Sequence, residues 1–151
     1  MTLARPLGAR STDARERLAD SHQLWLATGN SRGAHLIPVA YVLDDGLVVT
    51  ATGEDSRTVA NLRETGRARL GLGATDDVVM VDVNLDAFVP PAEMPTGVAN
   101  RYAAVSHDPR TMPGYTYIRF RPHRVQAWNG YHEFAGRTLM LNGQWLSSSV
   151  D

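Results

Sequence analysis

The stretch TATGEDSRTVANL, residues 50–62, contains three features that indicate how this chain folds. A strand pattern ends in hydroxyl-bearing residues, a glycine then allows the chain to turn, and Asp55 or Ser56 can cap a short helix. That helix is expected to continue to about Arg63 and to end at Gly66. The stretch therefore predicts a strand, a turn and a short capped helix in immediate succession.

The start of this helix is also a candidate anion site. Backbone amides at a helix N-terminus, together with Arg57 and the hydroxyls of Ser56 and Thr58, suit a phosphate group. An ordinary helix whose serine satisfies the first amides has the same local sequence, so both interpretations stay open here. Arg67 and Arg69, which share one face of the next strand, favour the anion site.

Short apolar and alternating segments on both sides of residues 50–62 predict the remaining strands. They cover residues 24–28, 35–42, 47–52, 67–73, 78–88, 115–120 and 124–128. The segment 78–88 is expected to be the longest, and Pro122 is expected to separate the last two. Pro38 removes one ladder donor from the second strand, which indicates an edge strand, a bulge or a place where something other than a strand lies alongside.

Two further helices are expected, one capped within residues 11–13 and one over residues 92–105. The order of elements predicts a mainly β, antiparallel fold with short helices. About six short strands in one domain over residues 1–151 favour a small barrel, because closure removes exposed strand edges.

Composition excludes several classes of chemistry and partner. The chain has no cysteine, which excludes thiol nucleophiles and thiolate metal sites, and all 15 of its basic residues are arginine, which excludes a lysine Schiff base. Its five histidines lack the spacing of metal ligands, so no metal is expected. A net charge of −1 argues against nucleic acid as a partner. Without a membrane-spanning run or a secretory signal, the expected location is cytoplasmic.

An aromatic group follows the last predicted strand. Trp128 lies beside Tyr131 and His132 in the sequence. Such side chains can stack on a ligand or line a subunit interface, and they can equally close one end of a barrel. The sequence does not separate these roles.

Four segments carry a resemblance to a known family. They are Trp25–Val39, Val49–Gly53, Ser56–Leu62 and Phe120–Trp128. Their order and spacing are similar to those of the pyridoxamine 5′-phosphate oxidase-like split β-barrel family, and more narrowly to its small actinobacterial members that use FMN or the deazaflavin coenzyme F420. The resemblance covers roughly residues 10 to 146.

The resemblance implies a homodimer with a cofactor, F420 first and FMN second, in a cleft at the dimer interface. In that family the second strand lays its backbone along the cofactor ring, and the helix start holds the phosphate. Thr58 departs from the family pattern, which has lysine there, and Arg67 or Arg69 is expected to supply the missing charge. The residues implied to bind the cofactor are Ile37, Pro38, Val39, Ala51, Thr52, Ser56, Arg57, Thr58, Asn61, Arg69 and Trp128.

The implied activity is that of a reductase that transfers a hydride to a small conjugated acceptor. The cofactor would supply the chemistry, and His35, Tyr41 or bulk water would supply a proton. One alternative is a non-catalytic protein that binds or carries a flavin or a tetrapyrrole. Another is a barrel without a ligand that serves as a dimeric interaction module.

Overall fold

The computed structural model describes residues 2–151, and Met1 lies outside them. Three α-helices are present in this range, α1 (Leu7–Asp20), α2 (Arg57–Thr65) and α3 (Thr96–Val105). The strands are β1 (Gln23–Asn30), β2 (Gly33–Ala40), β3 (Val42–Asp44), β4 (Leu47–Gly53), β5 (Arg67–Ala74), β6 (Asp77–Val89), β7 (Tyr115–Asn129), β8 (Thr138–Leu141) and β9 (Gln144–Trp145).

The nine strands form one antiparallel sheet in the order β2-β1-β5-β6-β7-β4-β3, with β8 and β9 added beside β7. The sheet curls into a split barrel, which confirms the predicted fold class. The split lies between β2 and β4. Among residues 2–151, β2 pairs only with β1. Across the split, the hydroxyl of Thr50 in β4 donates to the carbonyl of Ala40 in β2 at 2.7 Å. Only about six strands were expected because β3, β8 and β9 are too short to show an alternating pattern.

The stretch at residues 50–62 folds as its sequence predicts. β4 ends at Gly53, and Ser56 caps α2 by accepting a hydrogen bond from the amide of Val59 at 3.2 Å. Gly66 ends the helix in the left-handed conformation, at φ +67°, which glycine adopts without a steric penalty. The buried side chains of Val59 and Leu62 fix α2 against the barrel interior.

The first and third helices differ from the prediction at their N-termini. α1 starts at Leu7, before the expected cap, because Arg10 occupies the same buried face as Ala14 and Leu18. From the sequence alone, a charged side chain at that position is expected to be exposed to solvent. α3 begins only after Pro95, because the preceding residues form a separate 3-10 turn at Pro91–Glu93.

The two predicted C-terminal strands are one strand. β7 runs 15 residues without interruption through Pro122, so β7 and not β6 is the longest. Its pairing with β6 is irregular at this point: Asp82 is opposite Arg124, but the next residue of β6, Val83, is opposite Pro122. A bulge of this kind accommodates a proline, since the ladder skips a residue there.

Two hydrophobic cores are formed on opposite faces of β4 and β7. The larger fills the barrel and includes Val79, Val81 and Val83, which the alternation in β6 predicts. The smaller lies under α3 and includes Tyr102 and Tyr117, whose rings meet edge to face at 5.7 Å. The helix α3 therefore covers the face of β4 and β7 that points away from the barrel interior.

Candidate functional site

The N-terminus of α2 follows β4 beside the split in the barrel. Arg57 is exposed, whereas Thr58 is buried, and the Thr58 hydroxyl has no hydrogen-bond partner among residues 2–151. Ser56 is occupied as the helix cap, as the ordinary-helix interpretation requires. The first amides of a helix lack intrahelical acceptors, so this end also has the donors that an anion requires.

The side chain of Asn61 is fully buried behind this helix start. Its amide nitrogen donates to the Thr28 hydroxyl at 3.1 Å, and its amide oxygen accepts from the side chain of Asn30 at 2.9 Å. Asn61 thus attaches α2 to β1. Neither Thr28 nor Asn30 was predicted from the sequence to contact this helix. The alternation that turns Leu24 and Leu26 inward also turns Thr28 inward, and this could have indicated its role.

The predicted ring-binding segment of β2 lies on the open edge of the sheet. Pro38 is exposed and opposite Trp25, which is 51% exposed, while Ile37 and Val39 pack against the barrel core. The side chains of Ile37 and Val39 thus face the core, and the contact of their backbone with a cofactor ring stays a prediction. The apolar surface of Pro38 and Trp25 lies beside that backbone.

The end of β4 forms the other side of the split. Thr52 is half-buried, but Ala51 is buried in the core under α3. The backbone of Ala51 remains next to the split because the neighbouring Thr50 bonds to Ala40 of β2. This hydrogen bond brings the end of β4 next to the end of β2, and a shared ligand site of β2, β4 and the first turn of α2 stays a prediction.

Arg69 lies on the outer face of β5, opposite Ala27 of β1. Asp82 accepts from the Nε atoms of both Arg69 and Arg124, each at 2.6 Å. Burial raises the pKa of Asp82, but the hydrogen bonds and charges of the two arginines outweigh it, so the pKa lies below its usual value. Arg69 lines a cavity of about 640 Å³ together with Arg67 and His123. Arg69, one of the two arginines expected to replace the missing lysine, is therefore already paired with a carboxylate.

Trp128 lies at the far end of β7 from the split. Thr52 is opposite Thr116, and about a dozen residues separate Thr116 from Trp128 along a strand that is bulged and bends with the barrel. The ring of Trp128 meets Phe134 edge to face at 5.5 Å, and Tyr131 stacks on Phe134 at 6.1 Å. Within one subunit these aromatic side chains form a separate surface.

Comparison with known proteins identifies the family. A family model described as pyridoxamine 5′-phosphate oxidase matches residues 11–129. The chain belongs to this family. No curated protein matches the chain.

Solved structures share the fold of this pyridoxamine 5′-phosphate oxidase family member. A structure titled F420 reductase has a TM-score of 0.61 and 13% identity, and the match covers 74% of this chain and 94% of that one. A putative pyridoxamine 5′-phosphate oxidase from Listeria innocua has a TM-score of 0.63 and 12% identity over 80% and 98% of the two chains. HutZ, the heme storage protein from Vibrio cholerae, has a TM-score of 0.63 and 10% identity over 89% and 99%. At these identities the likeness shows the fold alone.

The structure separates the two side chains considered as proton donors in this family member. Tyr41 is fully buried, its hydroxyl donates to the carbonyl of Leu18 at 2.6 Å, and burial raises its pKa to about 12. It does not reach the split. His35 is half-buried on β2, opposite Thr28.

Across residues 2–151, no helix has both the length and the apolar character needed to cross a membrane. Nor does that part of the chain bring three histidine, cysteine, aspartate or glutamate side chains together as metal ligands would be.

Proposed function

We propose that this chain is an oxidoreductase that binds coenzyme F420 or FMN at the split between β2 and β4. The observation that carries the proposal is the buried, unpartnered hydroxyl of Thr58 in the first turn of α2. Leaving such a group unpaired costs about 1–3 kcal/mol, which a hydrogen bond to a ligand would recover. Because Thr58 is the second residue of α2 and follows Arg57, an anionic ligand group is the kind that this helix start would favour.

The residues of β2 and of the helix start would have different roles in binding the cofactor. The backbone of Ile37 and Val39 would run along the ring, and Pro38 would contribute apolar surface. Arg57 would neutralise the phosphate, assisted by the Thr58 hydroxyl where the family pattern has lysine. When bound, the cofactor would supply hydride transfer to a small conjugated acceptor.

The proposed enzyme is a homodimer, in which Trp128 of one subunit completes the site of the other. The course of β7 supports this arrangement. Thr116, which is opposite Thr52, and Trp128 lie at opposite ends of the strand. We therefore expect Trp128 to contribute to the site of a second subunit.

A non-catalytic flavin or tetrapyrrole carrier of the same fold is the second candidate. The specific observation in its favour is that Tyr41 has its hydroxyl engaged by Leu18. Tyr41 is therefore not free to donate a proton to a substrate, whereas a carrier needs no proton donor.

Separate fluorescence titrations with FMN and with F420 test the proposal. Arg57→Ala should raise the Kd of the preferred cofactor about 10- to 150-fold, equivalent to roughly 1.5–3 kcal/mol. Arg63→Ala is the matched control, because Arg63 is exposed near the other end of the same helix. Binding of neither cofactor, or an equal effect of both substitutions, would contradict the assigned site.

Two further measurements separate the alternatives. Transfer of a hydride from added reduced cofactor to a quinone or a dye indicates the enzyme, and tight binding without turnover indicates the carrier. For the dimer, co-expressed Arg57→Ala and Trp128→Ala subunits should recover one intact site per heterodimer. If the mixture binds no better than either variant alone, Trp128 does not act across the interface.

A further inference from the structure

A small cavity lies between α1 and the hairpin formed by β8 and β9. Its volume is about 210 Å³. One wall consists of neighbours across the sheet. Val81 of β6 is opposite Val125 of β7, and Met140 of β8 is opposite both Val125 and Trp145 of β9. Residues directly opposite one another share a face of the sheet, so these four side chains form a continuous apolar surface.

The rest of the lining is apolar except at one point. Leu18 of α1, Leu43 and Val48 add aliphatic surface, and among residues 2–151 that line the cavity only Arg15 is charged. A void with such walls lacks dispersion contacts that an apolar ligand would supply. An apolar cavity of about 150 Å³ binds benzene, and by the same ratio 210 Å³ accommodates about eight carbon atoms.

Arg15 provides an unpaired positive charge at this cavity. Its guanidinium carbon lies 4.1 Å from the centre of the Trp145 ring, so the ring covers one face of the guanidinium. Arg17 of the same helix is paired with Asp77 at 3.0 Å, whereas no carboxylate within residues 2–151 is paired with Arg15. The N–H groups of a guanidinium lie in its plane, so a carboxylate can bind its edge without breaking the stack.

We propose that this cavity binds a small carboxylate with an apolar tail of about eight carbon atoms. The tail fills the space between α1 and the β8–β9 hairpin, and the carboxylate pairs with Arg15. None of the residues implied to bind the cofactor lines the cavity, so this inference stands apart from the proposed function.

A neighbouring cavity contains charges that bear on the choice of head group. Its volume is about 280 Å³, it shares Trp145 with the first cavity, and it is also lined by Asp45 and Arg121. Arg121 donates to Asp86 at 2.9 Å and is therefore already paired. The exposed Asp45 would favour a cation, but it does not line the apolar cavity, whereas Arg15 does. A carboxylate is therefore expected to bind more tightly than an ammonium group of the same size.

NMR titration of protein labelled with methyl-¹³C methionine tests the proposal. The probes are octanoate and n-octylammonium, which have the same number of carbon atoms and opposite charges. The methyl group of Met140 reports from the cavity lining, and Met140→Leu assigns its signal. Met80, Met94 and Met112 lie outside the lining and serve as internal references. We expect a saturable shift of Met140 and at least tenfold tighter binding of octanoate than of octylammonium.

Two substitutions separate the roles of charge and space. Arg15→Gln should raise the Kd of octanoate at least fivefold, and Arg32→Gln, at an exposed arginine outside both cavities, is the matched control. Val48→Phe places a ring in the cavity and should weaken binding of both probes at least tenfold.

Three results would each overturn the proposal. They are a Met140 signal that shifts no more than the reference methionines, octylammonium that binds as tightly as octanoate or more tightly, and equal effects of Arg15→Gln and Arg32→Gln. The two arginine variants keep the test decisive even if Val48→Phe does not fold, because both positions are exposed.

Discussion

Glu133 offers the sharpest test of the energetics of this fold. Its side chain is 1% exposed and accepts two hydrogen bonds from the Arg5 guanidinium, at 2.7 and 2.9 Å. The amides of Arg5 and Asn129 donate to it as well, at 3.1 and 2.9 Å. The buried guanidinium of Arg10 lies 3.8 Å away. The carboxylate therefore joins the N-terminal segment to the 3-10 turn at Tyr131–Glu133.

The magnitude follows from the pKa of this group. Hydrogen bonds from Arg5 lower the pKa of Glu133 from 4.5 to about 2, against the opposing effect of burial. At about 1.4 kcal/mol per pKa unit, this corresponds to about 3 kcal/mol of stability above the unfolded-state pKa. A lowered pKa means that this contribution is present at pH 7 and is lost as the pH falls from about 4.5 towards 2.

Urea unfolding of wild type and Glu133→Gln, followed by tryptophan fluorescence at pH 7 and pH 3, measures the effect. At pH 7 the substitution should cost about 3–5 kcal/mol, because it leaves the buried Arg10 without its carboxylate. Between pH 7 and pH 3, wild type should lose about 2 kcal/mol more than the variant does. Equal losses would refute the argument, since the variant has no carboxylate at this position to protonate.

Two further predictions concern the backbone and the polar contact behind α2. Gly73→Ala should destabilise the fold by about 2 kcal/mol or more, because Gly73 has φ +90° and a new Cβ would collide with the carbonyl of Asp77. Gly97→Ala, in open space on α3, should instead stabilise it by about 0.5–1 kcal/mol, and equal urea midpoints for these two variants would contradict both estimates. Asn61→Ala should cost about 1–3 kcal/mol, because the buried Thr28 hydroxyl and the side chain of Asn30 lose their partner. Asn61→Asp should be more harmful at pH 7 than at pH 4, because an unpaired buried carboxyl is tolerated only when protonated; a pH-independent effect would argue against it.

Local signals account for the parts of the fold that could be predicted from the sequence. The succession of strand, turn and capped helix at residues 50–62 is encoded by near neighbours, and Ser56 and Gly66 occupy the expected caps. The alternation in β6 is equally local and predicts its buried valines. These features identified the fold class and the helix start that the site requires.

Contacts between distant residues account for what could not be predicted. Arg10 is buried because it bonds to the carbonyls of Glu133, Ala135 and Ala127, more than a hundred residues away. Arg69 is engaged by Asp82 on the neighbouring strand. Such pairings depend on the sheet register, which cannot be derived from composition and periodicity.

The same limit applies within the candidate site. Asn61 is part of the segment that resembles the family, and its position suggests contact with a ligand. Only the register of α2 against β1 shows that its amide is used by Thr28 and Asn30. These contacts show that Asn61 positions the helix start, and its contact with a cofactor stays a prediction.

The continuous course of β7 has a consequence for how the molecule opens. Phe120 of this strand is buried in the barrel core, and Tyr117 is buried in the core under α3. Because β7 contributes side chains to both cores, it cannot detach from one core while the other stays intact. The amide protons of these two residues should therefore exchange with solvent at a common slow rate, set by cooperative opening of the whole sheet.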